Sequence, residues 1–369
     1  MTKAQKLSGR AIMDMVRGFQ PSCIAIAGAE LDVFTVLHAK PKTAAQTARR
    51  IKGDLRATVV LLDALAASGL LDKGSGRDPA YRVPTAVAEV LTETGPQSML
   101  GMARHLGNCL RNWGQLAGVV RRGRPATRRP SVRGAGGDLV SFIRAMHEVS
   151  EPMAGPLISS LGPMEFTHLL DLGGASGTWT IPFLRLHPTA RATVFDQPEV
   201  IPMARRLMKK VGLANRVRLV SGSYNRDGLP GGADLAWVSA IVHQNSRAQN
   251  RSMFAKVFAA LEPGGRILVR DIVMEPSRTR PVGGALFAVN MLVGTPEGGT
   301  FTFDELREDL AAAGFVGTKY LRRGEGMDSV VGAAKPRPGR LSEAPRREGR
   351  GGRPHARPGG GRGTRRTGA

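Results

Sequence analysis

The sequence predicts an α/β protein in which a doubly wound parallel sheet follows an N-terminal, mainly helical winged-helix domain. Three observations carry that expectation. From Thr167 onward short apolar runs alternate with helical stretches, the first of those runs breaks into a cluster of glycines, and the first third of the chain is helical apart from one Gly-rich turn. Strands joined by helices pair in parallel and are covered on both faces.

Taken in order, "TAAQTARRI" starts a helix at a Thr43 cap. "LRATVVLLDALAASGLL" then sets Leu55, Val59, Leu62, Leu65 and Ala66 on one face before Gly69 stops it. A Gly-rich turn between two short apolar runs, followed by another helix, completes a winged-helix pattern. Arg49, Arg50, Lys52 and Arg56 would suit phosphates, but the presumed recognition helix carries Val, Leu and Ala, which cannot read base edges. Packing or dimerisation through Val59, Leu62 and Leu65 is the expected use. Arg121 to Arg133, "RRGRPATRRPSVR", reads as an exposed basic loop before a helix at "DLVSFIRAMHEVSEPMAGPLISSL".

The strands follow as "THLLDLG", "RATVFD", "RVRLVSG", "ADLAWVSAI" and "GRILVRDI". "TFDELREDLAAAGF" has a capping box of Thr302 and Glu305, an apolar face at Phe303, Leu306 and Leu310, and Gly314 as its stop. Two last strands, near Thr318 to Leu321 and Ser329 to Ala333, are expected as an edge hairpin. The domain division that results is 1–110 for the winged helix, 111–160 for the basic loop and linking helices, 161–336 for the sheet domain and 337–369 for a tail.

The chain has 369 residues and a net charge of +23. The tail carries ten arginines against two glutamates, a net +8, which leaves +15 for the rest. Its Arg, Gly and Pro composition cannot offset the entropy of ordering, so disorder is expected there, with at most non-specific contact to nucleic acid. No apolar run approaches the roughly 20 residues that span a bilayer, and the N-terminus lacks a signal pattern, so a cytoplasmic protein is expected. Cys23 and Cys109 stand in unlike contexts, and no HExxH or CxxC occurs, so neither disulfide nor metal is expected.

The chemistry concentrates at strand tips. In "LLDLGGASGTW" a strand ending with Asp171 and Leu172 enters Gly173, Gly174, Ala175, Ser176 and Gly177, at the edge where open, Rossmann-like sheets bind nucleotides. Asp196 ends the next strand, followed by Gln197, and can accept hydrogen bonds from a ribose diol. No GxxxxGK[ST] loop is present and the turn departs from GxGxxG, so an adenosine without a diphosphate fits better. In "WVSAIVHQNS", His243 lies at the end of the fourth strand, facing the same crevice.

With "LEPGGRILVRD" added, the set resembles class I S-adenosylmethionine-dependent methyltransferases. "FDQPEVI", "VSAIVHQNS", "GGTFTFDELREDLAAAGF" and the winged-helix front narrow it to the O-methyltransferase family of caffeate, acetylserotonin and bacterial natural-product enzymes, over roughly Arg10 to Pro336. The resemblance implies S-adenosyl-L-methionine as cofactor, a small-molecule acceptor, a homodimer built by the N-terminal domain and His243 as the base that deprotonates an acceptor hydroxyl. It places Asp171, Gly173, Gly174, Gly177, Asp196, Gln197, Ser223, Tyr224 and Ser239 at the cofactor and Met146, Asn290 and Met291 at the acceptor.

The chain departs from the family at several of these positions. Ala175 stands for the central Gly, Ser223 for an acidic residue, Ser239 for a lysine and Gln244-Asn245 for Asp-Trp after the histidine. The carboxylates that orient the base in plant relatives fall at Arg270 or Asp271 and at Thr300 or Phe301. Methylation of sulfur, nitrogen or carbon on the same scaffold, or a winged-helix nucleic-acid binder, are the alternative readings.

Overall fold

In the computed structural model, residues 7–337 are described; the tail expected from 337 onward otherwise lies outside them. The chain opens with α1 (Gly9–Arg17), capped by Ser8, and continues through α2 (Phe19–Glu30) and α3 (Val33–Ala39). A three-stranded sheet of β1 (Lys42–Thr43), β2 (Asp72–Lys73) and β3 (Ala80–Arg82), in the order β1-β3-β2, encloses α4 (Ala44–Ile51) and α5 (Leu55–Ala67), and α6 (Thr85–Leu91) follows. This is the expected winged helix. Thr43 and Gln46 form a full capping box on α4, two orphan N–H groups satisfied at once.

Of the two uses expected for the apolar face of α5, packing and dimerisation, the structure shows packing. Leu62 and Leu65 are fully buried against Ala29, Phe34 and Tyr81, with Val59 packed beside them, so that face is the domain's own core. Two short helices and a small sheet have too little apolar surface to leave such a face unspent. The exposed apolar surface lies instead on α1 and its exit, where Ile12, Met13, Met15, Val16 and Phe19 are 46–69% exposed.

Helix α7 (Leu100–Trp113) runs through residue 110, the expected domain boundary, and packs on α2 and on α9 (Gly134–Ser160) after the short α8 (Leu116–Arg122). Glu148 on α9 accepts from the backbone N–H groups of Gly101 (3.1 Å) and Met102 (2.9 Å), so a carboxylate from one helix caps the positive end of the other.

The sheet domain comprises β4 (His168–Leu172), α10 (Thr180–Leu186), β5 (Arg191–Asp196), α11 (Ile201–Lys210), β6 (Val217–Ser221), β7 (Ala233–Ser239), α12 (Arg247–Ala260) and β8 (Leu261–Asp271). Then come β9 (Val273–Met274), α13 (Val282–Gly294), β10 (Phe301–Thr302), α14 (Phe303–Ala312), β11 (Val316–Arg322) and β12 (Ser329–Ala334). Seven strands form one sheet in the order β11-β12-β8-β7-β4-β5-β6, parallel except where β12 runs antiparallel between β11 and β8. The expected edge hairpin is therefore an extension of the main sheet. Thr302 and Glu305 make the anticipated capping box on α14.

Strand alternation splits the core in two. Leu169, Leu235, Trp237 and Leu268 face Leu157 and Ile158 of α9 and Phe183 of α10, while Leu170, Val238, Ile267 and Val269 face Phe254 and Val257 of α12 and Leu306 and Leu310 of α14. Among the described residues no single helix is long and apolar enough to cross a membrane.

Candidate active site

The strands β8, β7, β4, β5 and β6 end level with one another. Arg270 lies opposite Ser239, Leu172 opposite both Val238 and Phe195, and Asp196 opposite Ser221. The chain reverses just past this line, and the expected site residues cluster there because parallel strands deliver all their carboxyl ends to one edge.

At Gly173 the backbone takes φ +64°, a left-handed conformation that favours glycine, and a Cβ there would crowd the Ile241 side chain. Ala175, the departure from glycine, is held at φ +49°, a left-handed conformation that costs an L-residue about 1–2 kcal/mol. Its N–H donates to Asp196 Oδ2 at 2.8 Å, and Gln197 N–H donates to Asp196 Oδ1 at 2.6 Å. Each oxygen keeps a lone pair for a diol. Burial raises the Asp196 carboxyl above its ordinary range.

Asp171 lies beneath this turn. Its Oδ2 accepts from the Thr180 hydroxyl at 2.6 Å, while Oδ1 is buried without a partner. Burial, with Asp196 nearby and against the Thr180 bond, pushes its carboxyl up to about 7. The folded state then holds a proton that the unfolded chain releases near pH 4, so this group's contribution to stability falls as pH rises from about 4 to 7. Asp171→Asn is expected to raise the melting temperature at pH 7 and to match wild type near pH 4; a constant difference across that window would show that Asp171 does not titrate there.

Beyond the end of β6 lie Ser223 and Tyr224. Ser223 is buried and its N–H donates to Asp227 Oδ2 at 2.8 Å, and burial raises the Tyr224 phenol. Next to the Gly turn, Ser176 and Thr178 share a hydrogen bond of 2.8 Å and His147 Nδ1 meets Thr178 Oγ1 at 2.8 Å. A cleft of about 320 Å³ opens there between Ile143, His147, Ser176 and Leu207. A larger cleft of about 540 Å³, bounded by Met274, Arg280 and Tyr320, contains neither His243 nor the Gly turn.

His243 sits in a 3-10 turn just after β7 and is buried. Its Nδ1 lies 2.9 Å from both oxygens of Asp271, and Asp271 Oδ1 also accepts from Ile272 N–H at 2.8 Å. An imidazole that donates Nδ1–H to a carboxylate presents a lone pair at Nε2, the form in which it accepts a proton. The turn is fixed by Asn250, which donates to the Val242 carbonyl and accepts from Asn245, so the Asn of the unusual Gln244-Asn245 pair is structural while Gln244 is exposed.

Strand parity decides between the two candidate carboxylate positions on β8. Consecutive residues point to opposite faces: Asp271 reaches His243, and Arg270 donates from Nη1 to Ser239 Oγ at 2.8 Å. Thr300 and Phe301 are buried and supply no second carboxylate.

On α13, Asn290 accepts from Trp113 Nε1–H at 2.9 Å, so part of its capacity ties this helix to α7, while Met291 is buried and Met146 on α9 half-buried. Sequence reasoning missed Phe287, whose ring meets that of His243 edge-on at 4.8 Å. Its place three and four residues before Asn290 and Met291, on one helical face, was the available signal. Among the described residues no group of three His, Cys, Asp or Glu side chains could share a metal ion.

Residues 131–316 match the O-methyltransferase domain and residues 13–94 the O-methyltransferase dimerisation domain. The tetracenomycin polyketide synthesis 8-O-methyl transferase of Streptomyces glaucescens is 32% identical over 88% of this chain and 96% of its own length. Acetylserotonin O-methyltransferase of Mus musculus is 31% identical over 90% of this chain and 89% of its own. The structure of human N-acetylserotonin methyltransferase in complex with S-adenosylmethionine superposes with a TM-score of 0.75 at 26% identity, covering 91% of this chain and all of that one. The fold agrees with these matches, and the chain belongs to the S-adenosylmethionine-dependent O-methyltransferase family.

Proposed function

We propose that this protein transfers the methyl group of S-adenosylmethionine to a hydroxyl of a small aromatic acceptor, with His243 as general base. The observation that carries the reading is the His243–Asp271 pair, a buried imidazole whose Nδ1 is taken by a carboxylate within reach of the nucleotide edge of the sheet. The sulfonium is already an activated donor, so the chain's task is to hold donor and acceptor in line and to take one proton. Asp171, the Gly173–Gly177 turn and Asp196 with Gln197 hold the adenosyl donor; Ser223 and Tyr224 border its base; Met146, Phe287, Asn290 and Met291 wall the acceptor.

Residues 1–110 act as the dimerisation part, 111–160 link it to the donor domain at 161–336, and two half-buried free thiols suit a cytoplasmic enzyme. The homodimer is expected to bury the apolar residues of α1, since contiguous exposed apolar surface of this kind marks an interface. Light scattering should give twice the monomer mass, and deletion of residues 1–18 should yield monomers; an unchanged dimer would place the interface elsewhere.

The function is tested with methyl-labelled S-adenosylmethionine offered together with phenol, thiol and aniline acceptors of matched size. Label on the phenolic oxygen is expected. Label confined to sulfur or nitrogen would overturn the oxygen assignment, and release of label to none of them would overturn the acceptor class.

A further inference from the structure

Arg270 is 3% exposed and carries five N–H donors, yet among the described residues its side chain donates only to Ser239 Oγ (2.8 Å, from Nη1) and the Met153 sulfur (3.7 Å, from Nη2). Its Nε–H is buried with no acceptor at all. The guanidinium stacks on Trp179, 4.2 Å from the ring centre. That contact covers one face of the plane, whereas the N–H groups point outward within the plane, and the stack leaves Nε–H without an acceptor. The nearest carboxylates are committed elsewhere: Asp271 to His243 on the opposite face, and Asp328 to Arg322 and the N–H of Gly326. A buried, unpaired cation is costly, and burial pushes this one down to about 10.

The position of the guanidinium says what would pair it. It reaches sideways from β8 onto Ser239, so it lies over the tip of β7, on the same face of the sheet as Asp171 and one strand from Gly173. Asp196 stands at the tip of β5, two strand spacings or about 10 Å from β7. An adenosyl donor fixed by its ribose at Asp196 and laid across the Gly turn directs its amino-acid end toward Ser239.

We propose that Arg270 binds the methionyl carboxylate of the donor, a step that rests on Asp196 and the Gly turn being the donor site. The carboxylate accepts from Nε–H and the free Nη2–H, a side-on pair of charge-assisted bonds, while Trp179 holds the plane in orientation. Ser239 serves as the rest that holds an arginine from the neighbouring strand over the tip of β7.

Calorimetric titration of the full chain distinguishes this role from packing. The probes are S-adenosylhomocysteine, which has the carboxylate, and 5′-methylthioadenosine, which lacks the whole amino-acid arm. Arg270→Met is expected to weaken S-adenosylhomocysteine about 10- to 100-fold and 5′-methylthioadenosine less than about threefold, with Arg270→Lys intermediate. Equal loss for both ligands, or no loss, would overturn the assignment.

A second measurement needs no variant. Wild-type protein should bind decarboxylated S-adenosylmethionine about 10- to 100-fold more weakly than S-adenosylmethionine, and equal affinity would refute the carboxylate contact. If wild type bound 5′-methylthioadenosine no better than inosine, the donor-site reading itself would fail, and the role of Arg270 with it.

Discussion

His243→Ala is expected to bind S-adenosylmethionine as wild type does and to lose about 10²- to 10⁴-fold in turnover, the usual worth of a positioned proton acceptor. Nothing else can take over. Gln244 is an amide that does not accept a proton near neutrality, and Asp271, bonded to Nδ1, lies a ring's width behind the Nε2 that faces the acceptor. For an acceptor hydroxyl whose pKa lies well above neutrality, the variant should recover part of the loss at high pH, where solvent supplies the anion. Comparison of pH–rate profiles checks this: equal rates across the range would reduce His243 to a polar residue at a strand end.

Asp271→Asn is expected to cost a loss of the same order, about 10²-fold or more, by changing which nitrogen of the histidine carries the proton. Ile272 N–H donates to Asp271 Oδ1, so the amide oxygen of an asparagine is retained there and its NH₂ turns toward His243 Nδ1. The imidazole must then hold its proton at Nε2, where it cannot act as a base. The double variant should be no slower than His243→Ala alone, because the two act as one unit. An Asp271→Asn enzyme with near wild-type turnover would show that the carboxylate only packs against the ring.

Much of this was legible in the residues because it depends on local signals. Thr43 and Thr302 cap the helices they were expected to cap, and the glycines after Leu172 mark the tip of the first main-sheet strand. What depended on neighbours distant in sequence was not legible. The choice between Arg270 and Asp271 needed the register of β8 against β7, since a shift of one residue exchanges the faces. The face of α5 looked available for a partner because its covering residues, Ala29, Phe34 and Tyr81, come from separate elements. In the sequence Ala175 is simply a departure from glycine, and only the backbone reveals the left-handed φ that Asp196 helps to hold.

The bond from Trp113 to Asn290 has an evolutionary consequence. Trp113 ends α7, and α7 is seated on α2, α9 and α13, so the helix proposed to wall the acceptor is braced by one that precedes the sheet domain in the chain. The donor machinery hangs on strand tips that are hydrogen-bonded to one another and leave little room for drift. Exchanges that alter the proposed acceptor wall therefore need not touch the strand tips proposed to hold the donor. In a lineage that exchanges residues of α2 or α7 around Trp113, the choice of acceptor is expected to shift while affinity for S-adenosylmethionine stays as it was.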